Sequence, residues 1–156
     1  MRRQAGGRII NISSNLVDSP IVPYHDYTAA KGALVGFTRS LAQEAGAWGV
    51  TVNAIAAGLT VGTDSSRATT EDMRERIIAS TPLGRLATAE DIAGAVAMLA
   101  GDDAAFITGQ TLHVDGGLVM RWHAAYAMRH GNDGIRRFRP WPWHSQGPTF
   151  HHMFGQ

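Results

Sequence analysis

The stretch Gly7-Arg8-Ile9-Ile10-Asn11-Ile12-Ser13-Ser14 opens with glycine and is apolar and β-branched along much of its length. Such a run predicts a buried strand over residues 8–13. A loop with two prolines follows over residues 15–23. The spacing of apolar side chains after that loop predicts a helix over residues 25–45. The first part of the chain therefore reads as a strand, a loop and a long helix.

The remaining pattern continues the alternation of strands and helices. On the first helix, one apolar stripe contains Ala30, Leu34, Phe37 and Leu41. The later elements are predicted to be a strand over 50–56, a loop over 57–70, a short helix over 71–80, a turn over 81–85, a helix over 89–99 and a strand over 110–114. Strands that alternate with helices are typical of an α/β fold with right-handed parallel crossovers. The loop after the second strand is long enough to act as a substrate lid.

Length and composition restrict the possible classes of protein. The chain has 156 residues, of which 44% are apolar and 17% are charged, which favours one globular domain. It has no cysteine, and no apolar run approaches the roughly 18 residues of a membrane span. We therefore expect a cytoplasmic protein with no membrane partner. The formal charge of the chain is +1. Residues 1–120 contribute −3, with 9 basic and 12 acidic residues, and residues 121–156 contribute +4, with 5 basic residues and 1 acidic residue.

Residues 121–156 differ in composition from the rest of the chain. They hold three of the four tryptophans, five of the seven histidines and half of the six prolines, with no helical or strand period. A frameshift or readthrough is the first explanation, and a disordered segment or an arm wrapped over a partner is the second. We expect no metal site among these histidines, because no paired carboxylates accompany them. Modest charge and irregular spacing also argue against binding of nucleic acid.

Tyr27 and Lys31, the only lysine, stand four residues apart in Tyr27-Thr28-Ala29-Ala30-Lys31. Residues i and i+4 of a helix share one face, so the phenol and the ammonium are expected to point into one cleft. A nearby cation favours the phenolate, which makes tyrosine usable as a general acid or base. Ser14 lies at the carboxyl end of the predicted strand, where ligands bind in open parallel sheets. Ser13 is the alternative hydroxyl, and alternation along the strand favours Ser14.

Four blocks of sequence, in this order, resemble the short-chain dehydrogenase/reductase family. The blocks are Gly7 to Ser14, Tyr27 to Ala33, Val52 to Gly58 and Thr108 to Gly117. A single Tyr-x-x-x-Lys arises by chance in many proteins, whereas four ordered blocks at the right intervals form a specific pattern. The resemblance extends from about residue 6 to residue 120 and is nearest to the branch that resembles 3-oxoacyl-carrier-protein reductases.

The resemblance implies an oxidoreductase that transfers a hydride between a nicotinamide and a carbonyl, alcohol or acyl-thioester substrate. NADP is the first choice of cofactor and NAD the second. By the same resemblance, Ser14 would bind the substrate oxygen, Tyr27 would exchange its proton, and Lys31 would assist Tyr27. Tyr27, Lys31, Gly58 and Thr60 would contact the cofactor, although Thr60 is also readable as an ordinary loop residue. The resemblance further implies a homo-oligomer, either a dimer or a tetramer.

The family's first strand, its glycine-rich phosphate loop and its Asn-Asn-Ala-Gly block have no counterpart in this sequence. Residues 1–120 are therefore expected to form the C-terminal half of a Rossmann-type doubly wound parallel sheet, with its last three strands and their helices and without the N-terminal half. Loss of the phosphate cradle leaves open a non-catalytic truncated remnant that acts at most as an oligomerisation or binding module. A third possibility is a module that binds an anionic partner through the basic, aromatic tail.

Overall fold

The computed structural model describes residues 1–120, and the predicted tail over 121–156 lies outside the described residues. The described part has three strands in one parallel sheet, in the order β1-β2-β3. The strands are β1 (Gly7–Ser14), β2 (Val50–Ala57) and β3 (Thr111–Val114), and the helices are α1 (His25–Ala45), α2 (Asp64–Arg67), α3 (Glu71–Ser80) and α4 (Ala89–Ala100). The predicted α/β class with a parallel sheet is confirmed.

The predicted elements are all present, and their ends differ from the prediction by at most one residue. The segment over 57–70, which was expected to be a loop, contains the four-residue helix α2. The Thr63 hydroxyl accepts a hydrogen bond from the Ser66 amide and caps this helix. Short polar residues that favour loops also favour helix caps, which is why the composition concealed a single helical turn.

The sheet is covered on both faces. One cluster of buried apolar residues joins α1 to β2 through Ala42, Ala45, Val50 and Val52. A second cluster joins α4 to β2 and β3, and includes Leu99, Ile55, Leu112 and Val114. Val52 and Ile55 are an odd number of residues apart on β2, so they point to opposite faces. Strand β2 therefore lies at the centre of three layers, with all but its last residue buried.

The face of α1 that contacts the sheet is offset from the predicted apolar stripe. The residues that it buries are small or β-branched: Val35, Thr38, Ala42 and Ala45. Phe37, which was expected on the stripe, is 53% exposed, so that part of the prediction was wrong. Thr38 can be buried because its hydroxyl donates to the Leu34 carbonyl at 2.8 Å and accepts from the Asn11 amide at 2.9 Å.

None of the helices within residues 1–120 is both long enough and apolar enough to span a lipid bilayer.

Helix α4 begins with a capping box that is reinforced by an arginine. The Thr88 hydroxyl accepts from the Asp91 amide, and the Asp91 carboxylate accepts from the Thr88 amide at 2.8 Å. Arg85 donates two further hydrogen bonds to this carboxylate, at 2.6 and 2.9 Å. The Arg85 guanidinium, followed by the Thr88 amide, holds the pKa of Asp91 well below its ordinary value of 3.8.

Replacement of Asp91 with asparagine is expected to lower the melting temperature at neutral pH by a few degrees, as is typical of a lost helix cap. Because the folded-state pKa of Asp91 is depressed, its stabilising contribution is present above pH 3.8 and is lost as the pH falls towards the folded-state value. The difference in melting temperature should therefore shrink in acid, as followed by circular dichroism. Asp72→Asn, which removes an exposed ion pair with Arg76, should change stability little at any pH. If the difference in melting temperature between Asp91→Asn and the unmodified chain stayed constant down to pH 2, the role assigned to the Asp91 carboxylate would be contradicted.

Candidate active site

The register of the sheet brings three chain segments to one edge. Ser14 pairs with Ala57, and Ala57 pairs with Val114. Because the strands are parallel, the residues that follow them also lie at this edge, which is where open α/β sheets bind ligands. The predicted site residues Ser14 and Gly58 therefore belong to the same edge of the structure.

Ser13 and Ser14 have different hydrogen bonds, which separates the two hydroxyls considered above. The Ser13 hydroxyl donates to the Lys31 carbonyl at 3.1 Å and is engaged in packing between β1 and α1. The Ser14 hydroxyl accepts from the Leu16 amide at 3.2 Å and thereby caps the 3₁₀ turn Asn15–Val17. A hydroxyl that accepts one hydrogen bond keeps its own proton to donate. Within residues 1–120, the Ser13 proton is used inside the fold, whereas the Ser14 hydroxyl serves as an acceptor.

Tyr27 and Lys31 lie together near the start of α1. The Lys31 ammonium is 5.6 Å from the centre of the Tyr27 ring, and it donates a hydrogen bond to the Ile12 carbonyl at 2.8 Å. This bond ties the ammonium to β1 two residues before Ser14. The Tyr27 side chain is 37% exposed, so its ring can be reached by another molecule. The bond to Ile12 thus holds a positive charge beside the Tyr27 ring.

Gly58 occupies a position where a side chain does not fit. Its amide donates to the Val114 carbonyl at 3.0 Å. A Cβ atom at this position would lie 2.8 Å from Cβ and 3.0 Å from Cα of Asp115. Glycine is therefore required for close approach of the loop after β2 to the end of β3.

The loop that contains Thr60 is held mainly by its own polar groups. The Thr60 hydroxyl donates to the Gly58 carbonyl at 3.0 Å, and the Thr63 hydroxyl donates to the Thr60 carbonyl at 2.9 Å. Ala87 fixes the loop from the other side through hydrogen bonds with Leu59 and Val61. The Thr60 proton is thus used inside the loop, while its oxygen can still accept from a ligand.

A surface cavity of about 530 Å³ lies beside Tyr27, between the loop after β1 and the first turn of α1. Its lining is mostly apolar, with one imidazole and one hydroxyl. The lining residues are Pro20, Ile21, Val22, Pro23, His25 and Thr28. Two of the lining residues, His25 and Thr28, belong to the first turn of α1, as does Tyr27.

Sequence reasoning missed a buried polar group at the same edge. The Asn15 amide donates to the Asp115 carboxylate at 3.2 Å, and Nε2 of His113 lies 3.0 Å from a carboxylate oxygen of Asp18. Asp115 is followed by two glycines, a common turn signal, and both have positive φ (66° and 86°). One hundred residues separate Asn15 from Asp115, so no local spacing indicates their contact.

Asn53 has a polar side chain, and its polar groups make hydrogen bonds within the fold. Its side chain donates to the Ile107 carbonyl at 2.7 Å and accepts from the Gln110 amide at 3.1 Å. These bonds tie β2 to the segment that leads into β3. This geometry gives Asn53 a supporting role in the fold. Among residues 1–120, no group of three or more histidine, aspartate or glutamate side chains is arranged to hold a metal ion.

Comparison with known proteins agrees with the geometry of this edge. The family model described as enoyl-(acyl carrier protein) reductase matches residues 1–119. The 3-oxoacyl-(acyl-carrier-protein) reductase FabG of Escherichia coli is 48% identical over 120 residues, which cover 77% of this chain and 49% of that protein. The proteins of the same name from Haemophilus influenzae and Rickettsia felis are 47% and 45% identical over the same shares.

The chain spans about half the length of the curated relatives that it matches. The matched half contains the sheet edge, the Tyr27–Lys31 pair and the polar contacts described above. The family model covers more than three quarters of the chain, so the relationship does not depend on one short motif. The chain belongs to the short-chain dehydrogenase/reductase family, a family of oxidoreductases.

Proposed function

We propose that the protein is a cytoplasmic NAD(P)-dependent oxidoreductase that interconverts a carbonyl and an alcohol, with 3-oxoacyl thioesters as the first substrate class. The observation that carries the proposal is the Lys31 ammonium, which is fixed at 2.8 Å from the Ile12 carbonyl and stands beside the Tyr27 ring. Support for the substrate class comes from the names of the relatives, which are 3-oxoacyl-(acyl-carrier-protein) reductases.

In the proposed reduction, Ser14 donates a hydrogen bond to the carbonyl oxygen of the substrate. Tyr27 then transfers its phenolic proton to that oxygen as negative charge develops there. Lys31 stabilises the phenolate that remains, because its ammonium is already held in place by Ile12. In the oxidative direction, Tyr27 accepts the proton from the alcohol. The nicotinamide, when bound, supplies or receives the hydride.

The donor set at this edge fits the nicotinamide end of a dinucleotide. The Tyr27 hydroxyl and the Lys31 ammonium are suited to ribose hydroxyls, and the segment from Gly58 to Thr60 offers backbone groups and one hydroxyl oxygen. Within residues 1–120, Gly6 and Gly7 lead directly into β1 and not into a helix N-terminus, so they do not form a phosphate cradle. We expect the isolated chain to bind the nicotinamide end weakly.

Fluorescence titration of NADPH, with NADH in parallel, tests the proposal on the purified 156-residue chain. Saturable binding, followed by turnover of a 3-oxoacyl thioester, is the expected result. NADPH and NADH differ only at the adenosine ribose, so a site for the nicotinamide end alone should bind both with similar affinity. A folded chain that binds neither dinucleotide and turns over no carbonyl substrate would overturn the proposal for this chain.

A second candidate function is a non-catalytic remnant that acts as an oligomerisation or binding module. The outer edge of β1 favours it, because within residues 1–120 this strand pairs only with β2. Ile12 on β1 is 41% exposed. An unpaired strand edge with apolar side chains invites association with another chain. This candidate predicts a folded chain that associates but shows no dinucleotide-dependent turnover.

Both candidate functions include self-association, as a dimer or tetramer, through exposed apolar side chains. Phe106, between α4 and β3, is fully exposed, and Met98 on α4 is 49% exposed. Phe106→Ser is expected to raise the dissociation constant of the oligomer by about tenfold or more, because a large aromatic anchor is lost. Light scattering after gel filtration measures the change, and Leu83→Ser, at another exposed apolar side chain, is the matched control. An unmodified chain that remains monomeric at all concentrations would contradict this prediction.

A further inference from the structure

We propose that Asn15, Asp18, His113 and Asp115, here called the polar clamp, are positioning residues that fix the Ser14 hydroxyl at the carboxyl edge of the sheet. The inference rests on the proposed function, in which Ser14 contacts the substrate oxygen. Asn15 is the first residue of the 3₁₀ turn that follows Ser14, and Asp18 directly follows that turn. His113 lies near the end of β3, and Asp115 directly follows this strand. The clamp therefore joins the Ser14 segment to a strand that is not its neighbour.

The first arm of the clamp crosses the end of the central strand. Strands β1 and β3 are separated by β2, so their axes lie about 9–10 Å apart. The Asn15 amide nevertheless reaches the Asp115 carboxylate at 3.2 Å, and both residues are buried. Gly58, which follows β2, leaves the space for Asp115 because a Cβ atom there would lie 2.8 Å from Cβ of Asp115.

Asp115 is a rigid anchor for this arm. Its carboxylate also accepts from the Gly117 amide at 3.1 Å and from the Val119 amide at 3.0 Å. Three N–H donors therefore surround one carboxylate that is 7% exposed. A buried carboxylate with this many donors has little freedom to rotate. The position of the Asn15 side chain is consequently set by β3 and the turn after it.

The second arm holds the other end of the 3₁₀ turn. Nε2 of His113 lies 3.0 Å from a carboxylate oxygen of Asp18, and Nδ1 lies 3.9 Å from Asp115. Within residues 1–120 neither ring nitrogen has a well-aligned hydrogen bond, although the first distance is short. This arm is therefore a close contact that is less directional than the Asn15 arm.

Two points of attachment orient the turn between them. The Leu16 amide lies inside that turn and donates to the Ser14 hydroxyl at 3.2 Å. If the turn is held in place, this amide holds the Ser14 oxygen in one rotamer and leaves the Ser14 proton for a substrate. Release of either arm lets the Leu16 amide move away from Ser14. The polar clamp thus acts on Ser14 through Leu16.

Hydrogen exchange of the Leu16 amide, measured by NMR on the ¹⁵N-labelled 156-residue chain, tests the proposal. Asn15→Leu keeps most of the side-chain volume and removes the donor to Asp115. We expect it to raise the exchange rate at Leu16 by about fivefold to tenfold, which corresponds to the loss of one ordinary hydrogen bond. Asp18→Asn should act in the same direction. Ser14→Ala, which removes the acceptor itself, gives the upper limit.

Asn11→Leu is the matched control, because Asn11 also makes one side-chain hydrogen bond from the Ser14 segment to another element, here to Thr38 on α1. It should lower stability to a similar extent and leave exchange at Leu16 unchanged. Equal acceleration in Asn11→Leu and Asn15→Leu would indicate a general loss of stability and overturn the clamp. An unchanged rate in both Asn15→Leu and Asp18→Asn would overturn it as well.

The comparison of exchange rates tests the polar clamp even if the unmodified chain has no turnover. Absence of turnover would count against the proposed function alone. Where turnover is measurable, Asn15→Leu should lower kcat by up to about 10²-fold, since a misplaced group affects the chemical step. The dissociation constant for NADPH should stay the same, because Asn15 contacts none of the proposed cofactor residues. Weaker NADPH binding with an unchanged kcat would contradict a role in positioning Ser14.

Discussion

Replacement of Tyr27 with phenylalanine is expected to lower the turnover of a carbonyl substrate by about 10²–10⁴-fold, the range that a positioned general acid contributes. The substitution removes one oxygen and keeps the ring that lies beside Lys31. The fold should be unaffected, since the Tyr27 side chain is 37% exposed and lies outside the two core clusters. Initial rates with NADPH and a 3-oxoacyl thioester give the measurement.

Tyr24 provides the control for the loss of a phenol. It lies three residues before Tyr27, is 49% exposed, and precedes the first residue of α1. Tyr24→Phe should therefore change kcat by less than about twofold, because Tyr24 has no part in the proposed proton transfer. Equal losses in the two variants would mean that Tyr27 has no special chemical role. A Tyr27→Phe variant with full activity would remove the central residue from the proposed mechanism.

The sequence predicted the fold because its signals are local. Apolar, β-branched runs and helical periodicity require no knowledge of distant residues, and the strand that ends at Ser14 and the helix that begins at His25 were found in this way. Tyr27 and Lys31 are also a local pair, since one helix turn brings i and i+4 together. The structure places their side chains 5.6 Å apart, as measured from the ammonium to the ring centre.

The polar clamp could not be predicted in this way, because its contact between Asn15 and Asp115 joins residues one hundred positions apart. Asp115 followed by two glycines is a common turn signal, and such a signal does not indicate a contact with Asn15. The exposure of Phe37 was missed for a related reason. An apolar stripe gives the period of a helix, but the buried Thr38 shows that hydrogen bonding can shift the face that packs by one residue.

Replacement of Asn53 with alanine is expected to lower the free energy of unfolding by about 2–5 kcal/mol, because a buried amide is lost together with its hydrogen bonds to two backbone groups. Asn53 is 1% exposed, donates to the Ile107 carbonyl and accepts from the Gln110 amide. Urea denaturation measures this change through the shift in the urea concentration at the midpoint of unfolding, provided that the dependence of the free energy on urea is the same for both proteins. Gln110→Ala, which removes an exposed hydrogen bond to Thr108, should cost no more than about 0.5 kcal/mol.

Asn53→Asp separates the hydrogen bonds from simple packing. Aspartate has nearly the shape of asparagine and can still accept from the Gln110 amide, but it presents a carboxylate oxygen to the Ile107 carbonyl at the position of the former donor. If packing alone matters, this variant should have nearly the same free energy of unfolding as the unmodified chain. If the two hydrogen bonds matter, it should lose at least as much stability as Asn53→Ala at neutral pH, because a buried charge is left facing another acceptor. The second result is expected, since Asn53 uses its donor and its acceptor in opposite directions, and only an amide supplies both.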